Sequence, residues 1–282
     1  MSTFGDIKTG YERLQGKKNY GLIYTCNCGW LDLGHLNPDN DNKIIGAANL
    51  WEQVNGGGPD ARISFWYHYP PGWRKHNYSR EILDRMKDDK IARLPDGRTG
   101  YRVTYRQEMG GIGIATGETR SFLVAHGLSE AQKKSVALSI FIWLSFEFEE
   151  YQLAIEWGGI ADFLSDNLRG KSYDSGFSRE DLVSNLIGFY VGIGDITKDQ
   201  VISKCHPVSE EAAVAIWERE GPVGEMKNRQ MKPILAHTTG FNDEANRMCR
   251  DDCIGQPNAF PQEFQAITPQ MPGQNYIQLW DY

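Results

Sequence analysis

Three segments of this 282-residue chain carry side chains able to do chemistry. The first is Glu147-Phe148-Glu149-Glu150, directly behind the apolar run Val136–Phe146. Val136, Ile140, Trp143, Glu147 and Tyr151 recur at spacings of three and four, so Glu147 continues an apolar helical stripe. Glu150, three residues on, shares that face. An acid on a core-facing stripe is costly unless it is paired or protonated, and such surroundings raise its pKa. That suits a general acid near neutral pH. The alternative is a helix that emerges into water after Phe146, with three solvated glutamates.

The second segment is Asp181, Ser184, Asn185 and Gly188, spaced three and four apart on one helix face. A narrow polar stripe ending in glycine permits close approach of a ligand or another element; capping and an ordinary exposed face is the alternative. The third is Cys28-Gly29-Trp30-Leu31-Asp32-Leu33-Gly34-His35. Leu22 to Tyr24 reads as a strand, and strand alternation sends Asp32 and His35 to opposite faces if it persists. A histidine in a turn at a strand end is placed where sites often sit, although a lone histidine is more often structural.

Other chemistries fit less well. Five cysteines, Cys26, Cys28, Cys205, Cys249 and Cys253, give the spacings C-x-C and C-x3-C, which read first as reduced cytosolic thiols. A disulfide in an oxidising compartment and a zinc site are the alternatives. No His-Glu-x-x-His is present, so a zinc hydrolase would need scattered ligands such as His35, Glu149 or Glu150, and His126. No cofactor is otherwise called for. Cys28 early and His237 late follow the order of papain-like peptidases, but Gly29 follows the cysteine where that pattern places a glycine ahead. No Gly-x-Ser-x-Gly occurs. The ring-dense stretch Phe65–Trp73 would suit stacking on sugar faces or packing of a loop on the core.

The elements that must position these residues are legible in part. Ser129 and Gln132 form a capping box ahead of a helix over 130–157 whose middle is apolar nearly all round. Ser178 and Asp181 cap a second helix reaching Ile193, and Ser209 caps a third over 210–220. Tyr101, Val103 and Tyr105 alternate with Arg102, Thr104 and Arg106, so 100–125 reads as a β-hairpin with a glycine-rich connection. The tail 258–282 reads as an irregular strap. The expectation is a single α+β domain with a long buried core helix, capped helices and a small antiparallel sheet.

A formal net charge of −7 argues against nucleic acid and anionic membranes as partners. No apolar run is long enough to span a bilayer, and the first residues show no basic or apolar leader region, which implies synthesis in the cytoplasm.

Two segments, Tyr24-Thr-Cys with Gly29-Trp-Leu-Asp-Leu-Gly-His35, and Phe177-Ser-Arg-Glu-Asp-Leu-Val-Ser-Asn-Leu-Ile-Gly188, resemble an uncharacterised family of bacterial envelope-associated proteins, a domain of unknown function. The resemblance covers about a third of the chain. It implies that His35, Glu150, Asp181 and Asn185 converge, and it implies no reaction. Where the family carries aromatic-His-Glu on the long helix, this chain has Phe148-Glu149-Glu150, which weakens a metal site. The functional expectation is a hydrolase of an envelope polymer such as peptidoglycan. Glu150 or Glu147 would be the general acid, Asp181 or His35 would handle water or charge, and Trp30 and Asn185 would hold substrate. Export as an antibacterial toxin would bring in a secretion machine and an immunity protein as partners. A zinc hydrolase, a cysteine peptidase or amidase of the cell wall, and a non-catalytic binding module are the alternatives.

Overall fold

The computed structural model describes residues 2–16, 20–36, 41–63, 77–108, 117–157, 178–225, 227–240 and 242–279, with backbone only at 108, 117 and 146–157. The protein is α+β: eight α-helices among the described residues, with antiparallel sheets of two and three strands. Its chain divides into two compact units, Met1–Pro38 with Ser145–Ala266, and Asp39–Leu144 with Ile267–Tyr282.

In the first unit, helix α1 (Phe4–Leu14) packs on strand β1 (Leu22–Thr25), which pairs with β2 (Gly29–Asp32) in a hairpin. All four residues of β1 are buried, so this strand is apolar on both faces. Helix α5 (Asp181–Gly192) lies against β2. Every residue from Leu182 to Tyr190 is buried, so α5 has no solvent-facing polar stripe. It begins later than the sequence suggests, because Ser178 to Glu180 form a turn in front of it. Ser178 still uses its backbone N–H, 3.2 Å, and its hydroxyl to bind the Asp181 carboxylate. Helices α6 (Lys198–Cys205), α7 (Glu210–Glu220) and α8 (Glu244–Asp252) complete this unit.

The second unit holds α2 (Ala47–Gly56), α3 (Arg80–Asp89) and the hairpin β3 (Gly100–Glu108) and β4 (Gly117–Ala125). Strand β5 (Tyr276–Leu279) pairs antiparallel with β4, so the tail is not wholly irregular: four of its residues complete the sheet. Ala61, Ala92, Leu94, Leu123, Ala125 and Ile277 form a core cluster in this unit. Helix α4 spans Glu130–Trp157, as its capping box and apolar run require, and its residues up to Leu144 belong here. Phe141 lies 6.1 Å from Tyr105 and Trp143 5.7 Å from Phe122, ring to ring, which docks that half on the sheet. No described helix is long and apolar enough to cross a membrane.

Candidate functional site

The site is built where β2 ends. Strand geometry stops at Asp32, and the turn that follows brings His35 back beside it instead of sending it to the opposite face. Asp32 Oδ1 accepts from the Gly34 N–H at 2.7 Å, a local Asx turn that fixes the carboxylate. Its Oδ2 lies 3.7 Å from His35 Nε2, with the two side chains 24 % and 35 % exposed. The carboxylate and imidazole thus form a half-exposed pair at the end of β2.

Helix α5 holds that turn from beneath. The Asp32 N–H donates to Ser184 Oγ at 2.9 Å. At Gly188 any Cβ would collide with the His35 backbone carbonyl, so glycine is needed for the helix to approach the turn this closely. The polar stripe of α5 therefore serves the hairpin: Ser184 binds it, Gly188 admits it, and Asn185 is buried in the same helix.

Sequence reasoning missed Glu180. It is 0 % exposed, and neither carboxyl oxygen has a hydrogen-bond partner among the described residues. Burial pushes its pKa up to about 8, and the neighbouring Asp181 and Asp32 charges add to the rise. Its own backbone and the Ser2 side chain, the latter outside hydrogen-bonding geometry, oppose the shift without cancelling it. A carboxyl group with a raised pKa therefore sits behind the Asp32 end of the hairpin. The available signal was its place between Arg179 and Asp181, but a carboxylate in a capping sequence reads as solvated.

Trp30 is 3 % exposed and stands edge-on between Tyr24 at 5.1 Å and Trp217 at 5.9 Å, so its ring is core, not a substrate platform. Glu147 and Glu150 fall on α4, but their side chains lie outside the described residues, as do the rings of Phe65–Trp73. His126 belongs to the second unit, 3.0 Å from Asp60. Among the described residues no group of three or more His, Cys, Asp or Glu side chains is arranged around a cation.

The cysteines correct two expectations. Cys26 bonds to Cys253 and Cys28 to Cys205, leaving Cys249 as the free, buried thiol. The first reading as reduced thiols fails because the fold brings together residues that no sequence spacing relates, at Cα separations of 5.5 and 5.2 Å. A sulfur in a disulfide is no nucleophile, so the papain-like reading of Cys28 falls too. His237, its supposed partner, is buried between the Tyr24 hydroxyl and Asn258 Oδ1, each 2.9 Å away. Burial, aided by the Arg219 charge and opposed by the Asn258 bond, holds its pKa below the usual range, as befits a structural imidazole.

A part-buried ion network runs from the buried Arg179 to the more exposed Asp243. Arg179 pairs with Glu220, which Arg219 also meets at 3.0 Å, and Arg219 reaches Asp243 at 3.2 Å and the Ala236 carbonyl at 3.2 Å. These charges are satisfied by one another and tie α7 and α8 to the turn before α5.

No family model, curated protein or solved structure matches this chain.

Proposed function

We propose that the protein is a hydrolase of a bacterial cell-envelope polymer, with peptidoglycan as the substrate class, acting by carboxylate and imidazole acid–base catalysis. The observation that carries the reading is the half-exposed Asp32–His35 pair backed by the buried Glu180 with its raised pKa. A neutral His35 takes a proton from water, and Asp32, held by the Gly34 N–H, stabilises the imidazolium that forms. Glu180, fully enclosed, does not meet substrate. Its proton keeps the charge behind the hairpin low. Glu150 or Glu147 supplies the general acid, and Ser184 and Gly188 hold the turn against α5.

The two disulfides support an oxidising destination, as the periplasm of a target cell would be for a delivered toxin. The envelope substrate rests on the resemblance of two segments to envelope-associated proteins.

One observation favours a second reading, a binding module without catalysis: α5 is buried on all sides, as a purely structural helix would be. Digestion of purified peptidoglycan by wild type, His35→Gln and Glu150→Gln, with products read by mass spectrometry, separates the two. Soluble fragments from wild type, reduced at least a hundredfold in both variants, are expected. Absence of fragments from the oxidised wild-type protein would overturn the hydrolase.

A further inference from the structure

Both disulfides land on one three-residue turn. Cys26 and Cys28 flank Asn27 between β1 and β2, and their partners lie just after α8 and at the last residue of α6. The bonds close nested loops with sequence separations of 227 and 177. Asn27 adds matching polar ties: its backbone N–H donates to the Cys205 carbonyl at 3.0 Å and its Nδ2 to the Lys204 carbonyl at 2.7 Å. Its Oδ1 accepts from the Asn258 N–H at 3.0 Å.

Strand β2 runs from this turn straight to Asp32 and is only four residues long. A two-stranded sheet of this size has little stability of its own, so its geometry depends on what anchors its ends. At the far end the anchors are noncovalent, the Ser184 hydroxyl and the contact at Gly188. At the near end the two covalent bonds are joined by the Asn27 ties and by the Cys26 N–H, which donates to the His206 carbonyl at 2.9 Å. Loop closure on this scale is entropically expensive for the reduced chain, and both closures are lost on the same three residues.

We propose that the paired disulfides are a redox gate on the Asp32–His35 end of the hairpin: oxidation assembles it, and reduction releases it. Four thiols give up four protons and four electrons to two equivalents of a disulfide oxidant, such as oxidised glutathione or an extracytoplasmic thiol oxidoreductase. That oxidant is reduced to four thiols as the two protein S–S bonds form. The fifth thiol does not interfere. Cys249 lies one helical turn before Cys253 but is fully buried, and burial pushes its pKa up to about 12, leaving almost no thiolate to attack its neighbour's bond. That the gate controls activity rests on Asp32 and His35 being the reacting pair; the conformational switch itself does not.

The test is hydrogen–deuterium exchange, read by mass spectrometry without substrate, so that its outcome is independent of any hydrolase activity. The 282-residue chain is oxidised with glutathione disulfide and its pairing is mapped on non-reduced peptides. It is then compared with the phosphine-reduced protein and with a variant carrying alanine at Cys26, Cys28, Cys205 and Cys253. Amides of residues 22–36 are expected to exchange at least tenfold faster without the disulfides, while those of 101–107 and 118–124 keep their protection. Equal protection of 22–36 in both states would overturn the gate, as would a different pairing. Loss of protection in both regions together would also overturn it, because the bonds would then be global staples.

Discussion

The two compact units are held together by different means. The second is an antiparallel sheet with an apolar helix docked on it, and among its described residues no disulfide is present. The first packs α1 and α5 on a buried two-stranded hairpin and adds to that apolar core two long-range disulfides, a part-buried network of charges, and a helix that accepts a turn only through glycine. Sheet-and-helix packing is tolerant: its stability is spread over many contacts, and single changes cost modestly. Covalent and ionic ties concentrate stability in few atoms, so that one change is felt strongly. The candidate site sits in the unit of the second kind. There the half-exposed pair stands over the buried stretch Leu182–Tyr190 of α5, and these ties add to that apolar packing.

The sharpest way to break that contrast is to cut the ionic network. Arg179 is 3 % exposed and its guanidinium meets Glu220. Arg179→Met leaves Glu220 with Arg219 alone and should cost about 3–4 kcal/mol in the stability of the first unit, since uncoupling a buried pair leaves a charge under-compensated. Urea denaturation followed by exchange protection of β1 and of β4 would show whether the loss is confined to β1. A cost below about 1 kcal/mol would mean the network behaves like a surface ion pair.

Glu180 should act in the opposite direction and depend on pH. Its folded pKa is raised to about 8 from 4.5, so between those values the folded state holds a proton that the unfolded state has lost. Stability therefore falls as pH rises from about 4.5 to about 8, and levels off above. Glu180→Gln should remove that slope and raise stability at pH 8 by about 2 kcal/mol, less than the full shift implies because a buried amide also lacks partners. Melting temperatures at pH 5 and pH 8 decide it. Parallel slopes in wild type and variant would mean that Glu180 is solvated or paired.

How far these features could be read from the sequence follows the same division. The hairpin 100–125, helix α4 and helix α7 were legible because alternation, a capping box and a serine cap are local signals. Strand β5 was hidden because four residues in a Pro- and Gln-rich tail carry no pattern; their partner β4 makes them a strand. In the first unit the decisive facts are nonlocal. No spacing relates Cys28 to Cys205, and nothing in Ser178-Arg-Glu-Asp181 says that the glutamate rather than its neighbours is enclosed. The proximity of Asp32 and His35 comes from a turn that ends the strand, where unbroken alternation would have parted them.

A smaller effect is expected where α5 meets that turn. In Gly188→Ala the new methyl would strike the His35 carbonyl, so helix and turn must separate slightly, at about 1–2 kcal/mol. The separation would also lengthen the Asp32 N–H bond to Ser184, and the chemical shift of the His35 ring should change while those of His126 in the second unit stay fixed. An alanine variant with unchanged stability and ring shifts would show that the turn is soft, and the contrast between the units would lose its main support.

The smallest effect should come from the second unit, where a single tie is one among many. Tyr101 is buried on β3, and its hydroxyl donates to the Val54 carbonyl at 2.6 Å. Tyr101→Phe removes that bond and nothing else of similar strength, because the ring stays in place. The expected cost is about 1 kcal/mol, the net worth of one buried hydrogen bond. It should appear as a uniform small drop in protection across β3 and β4, with no change in β1. A cost as large as that of Arg179→Met would show that the second unit, too, concentrates its stability in single polar ties, and the distinction between the two ways of holding a chain together would fail at its simpler end.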